Sequence, residues 1–481
     1  MTNEIRHLEP QALWGHFADL NAVPRASKRE EQASRFVAAF GRSLGLETTV
    51  DPCGNVLIRK PASPGQEHRP GIVLQGHLDM VHQKNASTTF DFDTEGIRMG
   101  VDGDWVKAEG TTLGADNGIG VAAIMTVLAS KDLVHPALDA LFTIDEETGM
   151  SGAKGLEAGV LRARRLLNLD SEDDRELTIG CAGGVDILGR GAAPTTAAPA
   201  EHDFVEVTVR GLTGGHSGMD IHLGRANANK LMNRFLLGAA EALGARVARI
   251  DGGGLRNAIP RESRAVLAVP RGAALAAFVE EQATRFQDEY RRTDPALALD
   301  CQPTGARGEV LEPGFQGRLL RALYTLPNGI YRMSPAVAGL VQTSNNLARV
   351  LVEDGRFQVD CLGRGSVDSE KDDLAAAVRC ALELAGAEVR FESEYTGWEP
   401  KPDSALTEQM ALLYEEVFGE KPRVLACHAG LECGILGSGH PGMEMISFGP
   451  NIRGAHSPDE RVQISSVQRF WRYLVRALEK L

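Results

Sequence analysis

Apolar runs in this chain end, again and again, in acids. Phe36, Val37, Phe40 and Leu44 recur at helical spacing, and residues 10–44 read as helices interrupted at Val23 and Pro24. From residue 47 the period changes to short strand-like runs, TTV and NVLIRK, and then to IVLQGHLDM after a Pro/Gly-rich turn. This last run is apolar on both faces before it turns polar, the pattern of a buried strand with functional groups at its end. ALFTIDEE and RLLNLDSED repeat the design, and VAAIMTVLA reads as a helix between the first run and these two. Strands alternating with helices predict an α/β domain, with the acids collected where the strands end.

The pattern changes after residue 186. GAAPTTAAPAE has the composition of a linker, and the strands and helices that follow carry no clustered acids at their ends. DFVEVTVRGL, ESRAVLAVP, ARVLVEDGRFQVDCL and AEVRFESEY read as strands. NANKLMNRFLLGAAEAL, AAFVEEQATRFQDEY, LLRALYTL and LAAAVRCALELA read as helices, giving two related α+β halves. Near residue 401 the first grammar returns, through KPDSALTEQMALLYEEVF and MEMISFGP to GAHSPDE and a closing helix. The expected division is therefore residues 1–186 and 401–481 as one domain, with residues 187–400 inserted as a second.

Composition narrows the function. A chain of 481 residues exceeds one ordinary core, and 43% hydrophobic against 24% charged residues is a globular balance. Net charge −14 argues against nucleic acid or anionic membrane as partner and favours small molecules or cations. The 7 cysteines are scattered and include no CxxC, so neither a disulfide framework nor a thiolate zinc site is expected. MTNEIRHLEP lacks a basic-then-apolar leader and no apolar run reaches spanning length, so the expected location is the cytoplasm.

Individually the polar groups have ordinary readings. His77 and Asp79, two apart at a strand end, share a face, which suits a ligand and its orienting carboxylate but equally a hydrogen-bonded structural histidine. Asp116 in GADNG is a turn acid on its own. Glu146 and Glu147 diverge as neighbours, which suits one for a metal and one for a water, or else a solvated loop. Asp170 follows LLNL in the same manner, whereas Asp173 and Asp174 read as solvent-facing. Together, His77, Asp116, Glu147, Asp170 and His456 make a nitrogen and carboxylate set without sulfur, suited to Zn, Mn or Co. A shared Asp116 would let these five serve two metals.

The ordered series HLDM, TTLGADNGIG, DEETGMSGA, NLDSED, GGHSG, HAGLECG and HSPDE resembles the M20 metallopeptidases, specifically their aminoacyl-histidine dipeptidase branch, over nearly the whole chain. The resemblance implies that His77 and Asp170 hold one metal, Glu147 and His456 the other, and Asp116 both. It makes Asp79 the orienter of His77 and Glu146 the general base, and it implies a cis peptide bond between Asp116 and Asn117. In the inserted lid domain it assigns His216 to oxyanion stabilisation, Asn257 and Arg364 to the substrate, and Gly430 and Glu432 to the substrate's amino end. The implied reaction is hydrolysis of Xaa-His and related dipeptides. An aminoacylase-type amidohydrolase, or a silent metal- or peptide-binding protein, would use the same scaffold. A homodimer is compatible with the family, and His216 could act in cis or in trans.

Overall fold

The run IVLQGH folds as the strand Ile72–His77, buried along its whole length between parallel strands on both sides and packed against the helix Ala115–Ala129. In the computed structural model, which describes residues 2–481, it is a central member of an eight-stranded sheet. In spatial order that sheet runs Glu47–Val50, Val56–Lys60, Leu138–Thr143, Ile72–His77, Arg165–Asn168, Glu444–Ser447, Glu176–Cys181 and Arg423–Cys427. Leu138–Thr143, Ile72–His77, Arg165–Asn168 and Glu444–Ser447 run parallel to one another. Their carboxyl ends consequently share one edge, with His77 opposite Thr143 and Gln75 opposite Asn168.

The helix Ala115–Ala129 is apolar all round, as a helix enclosed on every side must be, and it is buried from Asn117 to Leu128. The amphipathic helices Gln11–Asn21, Glu31–Ser43 and Ile464–Lys480 bury one face each in the same core. Fully enclosing a side chain such as Leu74 or Phe142 contributes about 1.5–3 kcal/mol. A second sheet of four short strands, ordered Ile452–Arg453, Arg461–Gln463, Trp105–Ala108 and Met99–Asp102, holds the loop that carries His456.

The chain forms two compact units, Met1–Cys181 with Trp398–Ala426 and Leu431–Leu481, and Ala182–Gly397 with Cys427–Gly430. A boundary between residues 186 and 187 would fall inside the strand Gly183–Ala192. The segment GAAPTTAAPAE is no linker: Thr195–Ala197 pairs antiparallel with Glu309–Leu311. ARVLVEDGRFQVDCL is likewise two strands, Val341–Glu353 and Arg356–Gly365, folded back on each other at Asp354 and Gly355.

The second unit has a nine-stranded sheet built as two α+β halves. One half runs strand His202–Arg210, helix Ala228–Leu243, strands Arg246–Gly253 and Ser263–Pro270, helix Leu275–Tyr290 and strand Ala298–Pro303. The other has the same order, a split βαββαβ arrangement: Gly183–Ala192, helix Pro313–Thr325, Val341–Glu353, Arg356–Gly365, helix Asp368–Leu384 and Glu388–Tyr395. The first half is inserted after the opening strand of the other, and they join where Arg246–Gly253 pairs with Val341–Glu353. The helices share one hydrophobic core against the sheet, and Asn227 caps Ala228–Leu243 by accepting from Asn229 N at 3.0 Å and Lys230 N at 3.3 Å. Among the described residues no helix is long and apolar enough to cross a membrane.

Candidate metal centre

Parallel strands deliver the first groups. His77 closes its strand, Asp79 lies two residues on, Glu146 and Glu147 follow the strand Leu138–Thr143, and Asp170 follows Arg165–Asn168. Asp79 is completely buried and links two of these segments. Its Oδ1 lies 3.2 Å from His77 Nδ1. Its carboxylate also accepts from Glu146 N at 3.0 Å, Glu147 N at 3.2 Å and Ser27 Oγ at 2.9 Å. The carboxylate therefore sets both the imidazole's orientation and the geometry of the acidic turn.

Asp116 enters from the first turn of the helix Ala115–Ala129, and its peptide bond to Asn117 is cis. Its two oxygens face different histidines. Oδ1 is 3.1 Å from His77 Nε2, while Oδ2 is 3.3 Å from His456 Nε2. Around the first histidine, Asp170 Oδ1 lies 3.3 Å from the same Nε2; around the second, Glu147 Oε2 lies 3.0 Å away. His77, Asp116 and Asp170 thus form one group of candidate ligands, and Asp116, Glu147 and His456 another, each with donor atoms within 4.8 Å of one another.

The electrostatics favour added positive charge. Burial opposes the His77 imidazolium, but Asp170, Asp116 and Asp79 hold it well above the ordinary histidine value. Hydrogen bonds to Asp116 and Glu147 raise His456 to about 11 against a smaller burial effect. Burial, opposed by His77 and assisted by neighbouring carboxylates, raises Asp170 to about 7 and Glu146 well above the carboxylate range. Asp116 is lowered: burial works against its charge, and the two histidines outweigh it. Glu147 Oε1 is buried with no hydrogen-bond partner, an acceptor left for a cation. Imidazole nitrogens and carboxylate oxygens gathered in this way, His77 with Glu146 and Glu147 forming a further such group, fit divalent metal ions.

The sequence profile of Peptidase family M20/M25/M40 matches residues 73–480. The chain belongs to this family. It is 41% identical over 481 residues, 100% of the chain and 99% of the relative, to the cytosol non-specific dipeptidase of Escherichia coli (strain K12). It superposes on the crystal structure of aminoacylhistidine dipeptidase from Vibrio alginolyticus with a TM-score of 0.92 and 42% identity, covering 99% of this chain and 98% of that one. Aminopeptidase PepT from Bacillus cereus shares the fold at a TM-score of 0.58 and 14% identity, with 98% of each chain covered.

The remaining candidate residues of this M20 peptidase divide between the two units. In the second, His216 Nδ1 accepts from Gly218 N at 3.2 Å and Met219 N at 2.9 Å, which leaves the proton on Nε2 and makes that nitrogen a donor. Burial, with Arg364 nearby, lowers His216 to about 4, so the ring stays neutral. Asn257 is exposed, and its carbonyl accepts from Ser217 N at 2.8 Å, which seats it beside the His216 strand. Arg364 is buried, donates from Nη1 to Tyr395 OH at 3.1 Å, and leaves Nε without a hydrogen-bond partner. Gly218 lets this group close up, since a Cβ there would overlap the His428 carbonyl oxygen and crowd Arg364.

Gly430 and Glu432, expected as neighbours at the substrate's amino end, are separated by the division into units. Gly430 is half-buried. Glu432 opens the helix Glu432–Gly439 and is 0% exposed, so in this structure its carboxylate meets no solvent. It accepts from Gln75 Nε2 and Thr143 Oγ1, each at 2.6 Å, and burial raises it to about 8. Asp174 is also not solvent-facing: its side chain is 7% exposed and pairs with Arg469 at 3.4 Å.

The sequence reading gave no role to Arg25, Glu460 or His428, all of which are buried. His428 Nε2 lies 2.7 Å from Ser344 Oγ, and burial, then Arg364, lowers it to about 3. HAGLECG and HSPDE contain two of these residues, but nothing in the spacing separates a buried acid or imidazole from a loop residue. Arg25, just after Val23 and Pro24, carried no signal at all.

Proposed function

We propose that this M20 peptidase is a metal-dependent dipeptidase acting on dipeptides of varied side chain, Xaa-His dipeptides included. The observation that carries the reading is Asp116, whose two oxygens address His77 with Asp170 on one side and His456 with Glu147 on the other. We assign the first three residues to one ion, Asp116, Glu147 and His456 to the second, and zinc as the first choice of metal, with cobalt and manganese compatible. When bound, the ions would polarise the scissile carbonyl and acidify a water molecule.

The residues do the rest. Asp79 keeps the proton of His77 on Nδ1 and turns Nε2 toward Asp116 and Asp170. Glu146, with its raised affinity for a proton, takes one from the attacking water and passes it to the leaving amine. The Nε2–H of neutral His216 donates to the developing oxyanion. Arg364 takes the substrate carboxylate as a guanidinium fork, Asn257 contributes an amide, and Gly430 borders the amino end. Glu432 joins two strands by accepting from Gln75 and Thr143. The second unit thereby takes the part of the family's lid, and the cytoplasm is the proposed location, the Escherichia coli relative being a cytosol dipeptidase.

The test is hydrolysis by the metal-reconstituted protein of a dipeptide panel containing β-alanyl-histidine, set against N-acyl amino acids. Dipeptides should be cleaved, and a chelator should abolish the cleavage. Activity confined to N-acyl substrates would make the chain an amidohydrolase, and binding without turnover would make it a silent homologue.

A further inference from the structure

HSPDE contributes His456 to the metal centre, yet its final acid, Glu460, has no part in the chemistry above. It is 2% exposed, and both of its oxygens are fully used. Oε2 accepts from Leu113 N at 2.8 Å and Gly114 N at 3.0 Å; Oε1 accepts from Ala115 N at 2.8 Å and Asp116 N at 3.3 Å. The amides at the start of the helix Ala115–Ala129, which a helix cannot satisfy internally, are thus met by one carboxylate from a distant part of the chain. Every one of these bonds ends on the turn that presents Asp116.

Arg25 grips the same turn from its carbonyl side. Nη2 donates to Gly114 O at 2.5 Å, while Nη1 donates to Leu78 O and Asp79 O, each at 3.1 Å. Asn21 completes the contact, accepting from Arg25 Nη2 at 2.8 Å and donating to Leu113 O at 2.9 Å. Gly114, at φ 69°, lies so close to the guanidinium that a Cβ would overlap Arg25 Nη2. The guanidinium therefore ties the Asp116 turn to the strand end carrying His77 and Asp79. Glu460 ties it to the loop of His456, a side chain 53% exposed and dependent on its loop for placement.

We infer that Glu460 and Arg25 clamp the turn Leu113–Asp116 from opposite sides and act as positioning residues that hold Asp116 between His77 and His456, so that Glu460 governs retention of the metal pair. This rests on the metal-centre reading given above. The alternative is a capped helix and a buried arginine that serve folding alone. Four backbone N–H groups converge on Glu460, so the array requires a group that only accepts, on both oxygens. Burying that carboxylate beside an acidic cluster costs electrostatic energy, and the cost is met on the turn that carries Asp116.

Zinc affinity, measured by chelator competition, separates these roles in the full-length protein. Glu460→Gln places an amide NH2 against backbone N–H groups and should weaken zinc binding about 10- to 100-fold, with Glu460→Asp recovering part of the loss. At saturating zinc the Gln variant should show a reduced kcat and an unchanged KM for a dipeptide. Arg25→Lys, which keeps the charge but cannot span Gly114 O and Asp79 O, should lose affinity on the same scale. Zinc affinities within about twofold of the parent in folded Glu460→Asp, Glu460→Gln and Arg25→Lys variants would overturn the clamp. His77→Ala is the control: if it too binds zinc like the parent, the metal-centre reading itself fails, whereas weakened binding there alone rejects only the clamp.

Discussion

The first unit buries carboxylates side by side, and the second buries imidazoles beside a guanidinium. Among the acids, burial and like charges raise Glu146 well above the usual range and Asp170 to about 7, and the surrounding carboxylates raise His456 to about 11. Among the bases, burial and the Arg364 charge move the histidines the other way, His216 to about 4 and His428 to about 3. One cluster is short of positive charge and the other of negative charge. Such imbalances mark candidate sites, and on the proposed reading cations complete the first and the substrate carboxylate the second.

The comparison can be broken at its strongest point first. Glu146→Gln removes the group that handles the proton while leaving both ligand groups around Asp116 intact, so kcat should fall by about 10²- to 10⁴-fold with metal content unchanged. Retention of full turnover would take the base away from Glu146. A smaller effect tests the basic cluster. Arg364→Met should raise KM for a dipeptide by about 10- to 100-fold, the scale of a lost charged hydrogen bond. It should also erase the parent's preference for a free dipeptide over its C-terminal amide. An unchanged preference would mean that Arg364 holds no carboxylate.

How much of this could be read from the sequence follows from how far each signal reaches along the chain. His77, Glu147 and Asp170 were legible as candidates because each stands at or just beyond the end of a buried run, and parallel pairing of those runs brings the ends together. Asp116 and His456 needed the ordered series of motifs, since a glycine-flanked acid and a lone histidine are commonplace singly. The second unit was harder to read. Its split half begins with Gly183–Ala192, is interrupted by the whole of the other half, and closes only through pairing with Arg356–Gly365 and Glu388–Tyr395. No local periodicity shows that a strand's partners lie so far along the chain, and GAAPTTAAPAE passed for a linker because its pairing with Glu309–Leu311 is equally remote. Asp174 looked like a surface acid for the same reason, since its partner Arg469 comes from a distant segment.

The central claim is that Asp116 joins two ion sites, and the count of bound zinc per chain tests it most directly. After equilibrium dialysis and elemental analysis the parent should hold two ions, His456→Ala should keep the one shared by His77 and Asp170, and Asp116→Ala should lose both. A parent that saturates with a single ion, or an Asp116→Ala variant that still holds two, would contradict the account.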